Sequence, residues 1–141
     1  MPIEIVHRYT REDLRAHPDK LFIFGDNNAR SGFGGQAREA RGESNAIGIR
    51  TKKAPTYEER DFLTDAEYAV NVAHIFEDFA PVLEALRLGK TVVWPADGIG
   101  TGIAQLPSRA PETLRFITTL VDSLRRVYGV TISQPSERNR L

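Results

Sequence analysis

Residues 92–103 restrict the fold of this chain more than any other segment. Three apolar residues ending at Trp94 stop at Pro95, and glycines then stand at positions 98, 100 and 102. Such a run predicts a strand covered on both faces of a sheet. Glycines leave backbone N–H groups open to phosphate oxygens, because they carry no Cβ. We therefore predict a buried strand followed by an anion-binding loop. The alternative is that the glycines only permit a tight turn.

Short apolar runs alternate with helical patterns along the chain. The runs predict strands at residues 3–6, 21–24, 46–49, 91–94 and 130–132, the last at a sheet edge. One helix is predicted to begin at a Thr10 cap and to end before Pro18. Further helices are predicted at residues 36–41, 64–89 and 111–128. This alternation predicts an α/β sheet with helices on both faces, in which ligands bind beyond the carboxyl ends of the strands.

The helix predicted at residues 64–89 has the clearest start signal. Thr64 and Glu67 have the spacing of a capping box. Pro81 is expected to bend or break this helix, and Gly89 to end it. Apolar residues at helical spacing predict its buried stripe: Tyr68, Val72, Ile75, Phe76, Phe79, Leu83 and Leu86.

The composition limits the ligand and the compartment. Lys and Arg together number 19, as do Asp and Glu, so the charge favours neither general nucleic-acid binding nor a membrane surface. The chain has no cysteine, which excludes disulfides, a thiol nucleophile and a cysteine-bound zinc site. His7, His17 and His74 lack metal-ligand spacing, and we expect no metal and no cofactor. Without a signal peptide or a membrane-length apolar run, a soluble cytoplasmic protein is expected.

The length of 141 residues is typical of one domain. We expect residues 1–132 to form that domain, because no repeat or linker divides them. Residues 133–141 are polar and are expected to be a frayed tail.

The loop at residues 25–35 is a second candidate for ligand contacts. Asparagine side chains both donate and accept hydrogen bonds, which suits a ribose hydroxyl or a base. The same residue types close local turns, so turn chemistry is the alternative. The candidate ligand-binding residues of this loop are Asp26, Asn27, Asn28, Gly32, Gly34 and Gly35.

Lys52 and Lys53 follow the strand predicted at residues 46–49. A desolvated lysine at the edge of the sheet would act as a nucleophile or form a Schiff base. A lysine pair before a polar loop is also typical of a solvated surface, which is the alternative interpretation.

Three motifs resemble the macrodomain superfamily. Residues 50–58 read Arg-Thr-Lys-Lys-Ala-Pro-Thr-Tyr-Glu, residues 99–103 read Ile-Gly-Thr-Gly-Ile, and residues 24–27 read Phe-Gly-Asp-Asn. The first two resemble the branch that contains terminal ADP-ribose protein glycohydrolase. The third is similar to phage and bacterial proteins of unassigned function. Together with the order of the predicted elements, the resemblance extends over residues 21–128.

The resemblance implies a single macrodomain-like domain, a three-layer α/β/α fold with a mostly parallel mixed sheet. It implies that ADP-ribose or a related nucleotide binds in a cleft over the sheet, with residues 32–35 lining one wall. In the glycohydrolase branch, the lysine matching Lys52 attacks the anomeric carbon of the distal ribose, and a carboxylate after the second loop assists it. The other ligand-binding residues would be Thr51, Gly98, Ile99, Gly100, Thr101, Gly102 and Ile103.

The chain departs from this pattern at the carboxylate. Ala104 stands two residues after Gly102, where the pattern has aspartate, and Asp97 is the candidate replacement as acid/base.

One hypothesis is a nucleotide-binding hydrolase that removes ADP-ribose from a modified macromolecule. A second is a non-catalytic phage or bacterial protein that binds or sequesters a nucleotide signal, and Ala104 favours it. A third is a Rossmann-like protein without a nucleotide.

Overall fold

The computed structural model describes residues 2–133, which form a five-stranded sheet with helices on both faces. The strand order is β3-β2-β4-β1-β5, and every strand pair is parallel. The predicted α/β class and three-layer architecture are confirmed. The expectation of a mixed sheet is corrected, because the only antiparallel pairing in the described residues is an isolated bridge between Lys52 and Phe62. The strands are β1 Ile3–Val6, β2 Leu21–Asn27, β3 Ala46–Lys52, β4 Val92–Pro95 and β5 Val130–Ser133.

Side chains alternate between the two faces along each strand, as the pleat requires. On β2, Phe22 and Phe24 pack in one apolar cluster with Leu14, whereas Ile23 packs in the other with Phe79. The first cluster lies under α1 and α2, and the second lies under α3 and α5. The helices are α1 Arg11–Ala16, α2 Ala37–Ala40, α3 Tyr68–Arg87, α4 Leu106–Arg109 and α5 Pro111–Tyr128.

Two strands run further than their apolar runs predict. β2 and β3 pair from Phe22 and Ala46 to Asn27 and Lys52, with an irregularity after Asp26. The two strands stay paired through residue types that favour turns, because each strand supplies hydrogen-bond partners for the other. The longer strands place the polar ends of β2 and β3 side by side at one edge of the sheet.

The start of α3 differs from the prediction. Thr64 makes no side-chain capping hydrogen bond, and a single 3-10 turn, Asp65–Glu67, precedes the helix. The Asp65 carboxylate instead accepts hydrogen bonds from the N–H groups of Glu112 and Thr113 at 2.8 and 3.0 Å. The acidic residue next to Thr64 therefore caps α5, and the predicted capping box is wrong.

The body of α3 also differs from the predicted stripe. The helix continues through Pro81 without a break. Phe76 is 56% exposed and Tyr68 is 39% exposed, so these two do not belong to the buried face. Asp78 and Val82 are buried instead. The buried face is thus rotated from the stripe that apolar residues alone indicate.

Within residues 2–133, no helix is long and apolar enough to cross a membrane. Over the same residues, no group of three His, Asp or Glu side chains is placed to hold a metal ion. The frayed tail predicted at residues 133–141 lies outside the described residues, apart from Ser133, which ends β5.

Candidate functional site

A cleft of about 660 Å³ opens at the carboxyl ends of the strands. Its volume is within the range of small-molecule sites, about 300–1,000 Å³. The cleft is lined by the residues that follow β1 and β4, by the ends of β2 and β3, and by the segment from Ser31 into α2. The two glycine-rich loops therefore face one space. The predicted site residues that line it are Asp26, Asn27, Gly32, Gly34, Gly35, Thr51, Lys52, Asp97, Gly98, Ile99, Gly100, Thr101, Gly102 and Ile103.

Packing fixes the loop after β4. Ile99 is buried in the core below it. Gly100 has a φ of +77°, and a Cβ there would lie 2.3 Å from Leu106 Cδ1. Only glycine fits this position, since the left-handed conformation and the close contact both exclude a larger residue.

The same loop leaves a run of backbone donors unused. Its internal backbone hydrogen bonds run from Gly98 N–H to Pro95 O at 2.9 Å, from Gln105 N–H to Gly102 O at 3.1 Å, and from Leu106 N–H to Gly100 O at 2.9 Å. Between them, the N–H groups of residues 99–104 donate to no acceptor within residues 2–133. Residues 101–103 are exposed, so their N–H groups are open to the cleft. A run of unpaired donors beside a cleft is suited to an anion.

Asp26 lines the cleft and also makes hydrogen bonds that hold its own loop. One carboxylate oxygen accepts hydrogen bonds from Asn27 N–H at 2.8 Å and from Arg41 Nη2 at 2.5 Å. The other accepts from Arg30 Nη1 at 3.1 Å. Because both oxygens already have partners, Asp26 shapes the loop that lines the cleft.

Two arginines connect this loop to the rest of the fold. Arg41 Nε donates to Gly32 O at 2.6 Å, which ties the loop to the end of α2. Arg30 also reaches Asp78 on α3, where Nη2 lies 2.6 Å from Oδ1. The loop is thus held from both faces of the sheet through Asp26.

The two predicted asparagines differ in position. Asn27 is 6% exposed, and its Nδ2 donates to Ser31 O at 2.8 Å. Its Oδ1 is buried and has no hydrogen-bond partner in the described residues. Asn28 is exposed, and it is absent from the residues that line the cleft. The structure therefore does not bring Asn28 together with the other predicted ligand-binding residues.

Lys52 is buried at the end of β3. Its Nζ donates to Thr56 O and lies 4.4 Å from the ring centroid of Phe62 and 5.0 Å from that of Tyr57. Burial lowers the pKa of Lys52 below its usual range, although the charge of Asp61 acts in the opposite direction. The solvated-surface interpretation is wrong for this lysine, because the residue is only 5% exposed.

Three positions from the sequence analysis remain: Thr51, Asp97 and Ala104. Thr51 is buried and its hydroxyl donates to Asp26 O at 3.3 Å, so it joins β2 to β3 below the cleft. Asp97 is exposed at the edge of the cleft, and Thr101 donates to its backbone oxygen at 2.8 Å. Ala104 is 3% exposed and packs in the apolar core. Alanine itself has no group that could act as an acid or a base.

Several cleft residues were not predicted from the sequence. His7 and Arg8 follow β1 directly, and their position after a buried strand was an available signal. Phe33 and Arg38 line the wall between the first loop and α2. Phe33 is 62% exposed, and its place between two glycines was a second signal in the sequence. No local pattern distinguishes Arg38 from an ordinary surface arginine.

A family model matches residues 4–120, from β1 into α5, and its description is a family of unknown function, DUF7831. No curated protein and no solved structure matches the chain. The matched segment includes both loops, Lys52 and Asp97.

Proposed function

The chain belongs to this family, DUF7831, and from the cleft we propose that it binds ADP-ribose or a related nucleotide. The diphosphate lies on the N–H groups of residues 99–104. These donors carry the proposal because they have no acceptor within residues 2–133 and stand on a loop that glycine geometry holds in place. Bare backbone donors in such a loop are a recurrent way to bind phosphate.

Exposed apolar side chains on both sides of the cleft support a nucleotide over a simple anion. Phe33 and Ile103 line the cleft and are 62% and 47% exposed. Apolar side chains in contact with water at a cleft mouth suit the planar face of a base, since aromatic rings and bases stack favourably. The resemblance of residues 50–58 and 99–103 to ADP-ribose-binding macrodomains points to the same ligand.

We favour binding without turnover. Lys52 is the one candidate nucleophile, and its lowered pKa agrees with that role. Its Nζ, however, is already engaged by Thr56 O between two aromatic rings. Ala104 supplies no acid/base group, and Asp97 is exposed. The second candidate function, removal of ADP-ribose from a modified macromolecule, rests on Lys52 and Asp97 alone. We propose a cytoplasmic location, because a chain without cysteine forms no disulfide and so needs no oxidising compartment.

Calorimetric titration tests the binding proposal. ADP-ribose and ADP are expected to bind, and adenosine is expected to bind at least about tenfold more weakly, because it lacks the diphosphate. Absence of heat with ADP-ribose at about millimolar concentration, with the protein folded, would refute the proposal.

A turnover assay separates binding from hydrolysis. The protein is incubated with an ADP-ribosylated peptide, beside its Lys52→Ala and Asp97→Asn variants. We expect no release of ADP-ribose by any of the three proteins. Release by the wild type that is lost in both variants would instead establish the hydrolase.

A further inference from the structure

Two arginines of the cleft have no partner for their charge among residues 2–133. Arg8 and Arg38 both line the cleft and are exposed. Within residues 2–133, they are the only arginines whose guanidinium groups make neither a side-chain hydrogen bond nor an ion pair. All others in that range are bound to a carboxylate, except Arg126, which donates to the Ser123 hydroxyl. The free guanidinium groups are therefore concentrated at the cleft.

Hydrogen bonds hold the backbone on which these arginines stand. Gln36 Oε1 accepts from Tyr9 N–H and Gln36 Nε2 donates to Tyr9 O, both at 3.2 Å. This pair ties the segment after β1 to the start of α2. Arg11 Nη2 adds a hydrogen bond to Arg38 O at 3.0 Å. Arg8 and Arg38 thus project from two segments that are fixed against each other.

The other charges of the cleft are already engaged or lie on other segments. Arg41 is paired with Asp26, and Lys52 is buried against Thr56 O. A Glu39 carboxylate oxygen accepts from Arg11 N–H at 3.3 Å. Asp97 lies on the loop after β4. Arg8 and Arg38 are the cleft cations that remain available to a ligand.

We propose that Arg8 and Arg38 form a second anion subsite, which takes a phosphate monoester that the bound nucleotide carries in addition to its diphosphate. The inference rests on the proposed nucleotide site and names its ligand class more narrowly. Guanidinium groups match phosphate oxygens with paired N–H donors, and a monoester carries nearly two negative charges at neutral pH. The loop after β4 binds the first anionic group through backbone donors, and the two arginines bind the second.

Binding of three nucleotides tests the subsite. They are ADP-ribose, ADP-ribose with a phosphate on the adenosine ribose, and ADP-ribose with a phosphate on the distal ribose. We expect one of the two monoesters to bind the wild type at least about tenfold more tightly than ADP-ribose, the gain typical of charge-assisted hydrogen bonds. Which monoester gains identifies the ribose that faces α2.

The double variant Arg8→Gln with Arg38→Gln is expected to lose that gain, so that it binds the monoester no more tightly than it binds ADP-ribose. Arg126→Gln is the matched control, because Arg126 lies on α5 outside the cleft, and it should behave as the wild type. If ADP-ribose binds but neither monoester binds more tightly, or if the gain persists in the double variant, the subsite is refuted and the nucleotide site stands. If none of the three binds, both are refuted.

Discussion

Ile103 packs against the backbone of Gly34, so that a Cβ on Gly34 would lie 2.7 Å from Ile103 Cδ1. The contact joins the loop after β4 to the loop after β2 across the cleft. It therefore sets the distance between the N–H groups of residues 99–104, on which we propose that the diphosphate lies, and the wall that carries Phe33.

Gly34→Ala should weaken ADP-ribose binding several-fold without destabilising the fold. The new methyl group meets only the tip of a flexible, half-exposed side chain, so Ile103 shifts into the cleft instead of straining the backbone. Calorimetry and thermal unfolding measure the two effects.

The second substitution Ile103→Val removes the Cδ1 atom that the alanine meets. The double variant should therefore recover most of the affinity lost by Gly34→Ala. Equal losses in the single and double variants would show that this contact does not control the width of the cleft.

Gly100→Ala should destabilise the protein by about 2–5 kcal/mol, because alanine is strained at positive φ and would overlap Leu106. Gly102→Ala is the matched control on the same loop. A Cβ at Gly102 has no neighbour within 4 Å, so its free energy of unfolding should change by less than about 0.5 kcal/mol. Urea unfolding measures both, and similar losses in the two variants would contradict the packing of this loop.

Burial of Lys52 predicts a specific pH dependence of stability. The unfolded chain keeps this proton up to a pKa of 10.5, and the folded protein loses it at lower pH. Lys52 therefore costs stability below its folded pKa, and the cost disappears as pH rises toward 10.5.

Between about pH 8 and about pH 10, the free energy of unfolding of the wild type should rise as Lys52 loses its proton. Lys52→Met should lack this rise, and urea unfolding measures both proteins. Lys53→Met is the control, since Lys53 is paired with Glu67 at 2.6 Å on the surface and should keep the wild-type profile. If the pH dependence of Lys52→Met matched that of the wild type, Lys52 would have to be solvated in the folded protein.

Asp65 is expected to stabilise α5 as a cap. Burial raises the pKa of its carboxyl, but the hydrogen bonds from Glu112 and Thr113 outweigh burial and hold the pKa below its usual range. The stabilisation is therefore complete above the ordinary pKa of 3.8 and is lost as pH falls through the lower folded value.

Asp65→Ala should cost about 1 kcal/mol at neutral pH, and Asp65→Asn should cost less because an amide oxygen still accepts. The difference between wild type and Asp65→Ala should shrink in acid. A constant difference down to about pH 2 would contradict the capping role.

Local patterns predicted the strand centres and the cap of α1 well. The Thr10 hydroxyl accepts from Asp13 N–H as expected, since both residues lie within one turn. The apolar centres of β2 and β4 were predictable because burial on both faces requires apolar residues throughout. The extension of β2 to Asn27 was not, because it depends on pairing with β3.

The site was predictable in outline and not in its charges. Both glycine loops follow strands, which brings them to one edge of any parallel sheet. The role of Asp26 depends on Arg30 and Arg41, and its contact with Arg41 joins residues 15 positions apart. Whether an arginine such as Arg38 is paired or free depends on which carboxylates the fold brings near it. A single sequence carries no local signal for that.

An NMR titration of the folded, ¹⁵N-labelled protein with ADP-ribose tests the central claim most directly. The amide proton resonances of residues 99–104 should shift downfield together and saturate, because these N–H groups acquire phosphate oxygens as acceptors. Adenosine, which has no phosphate, should leave them in place. If these amides do not move with ADP-ribose at about millimolar concentration, the loop after β4 does not hold a diphosphate.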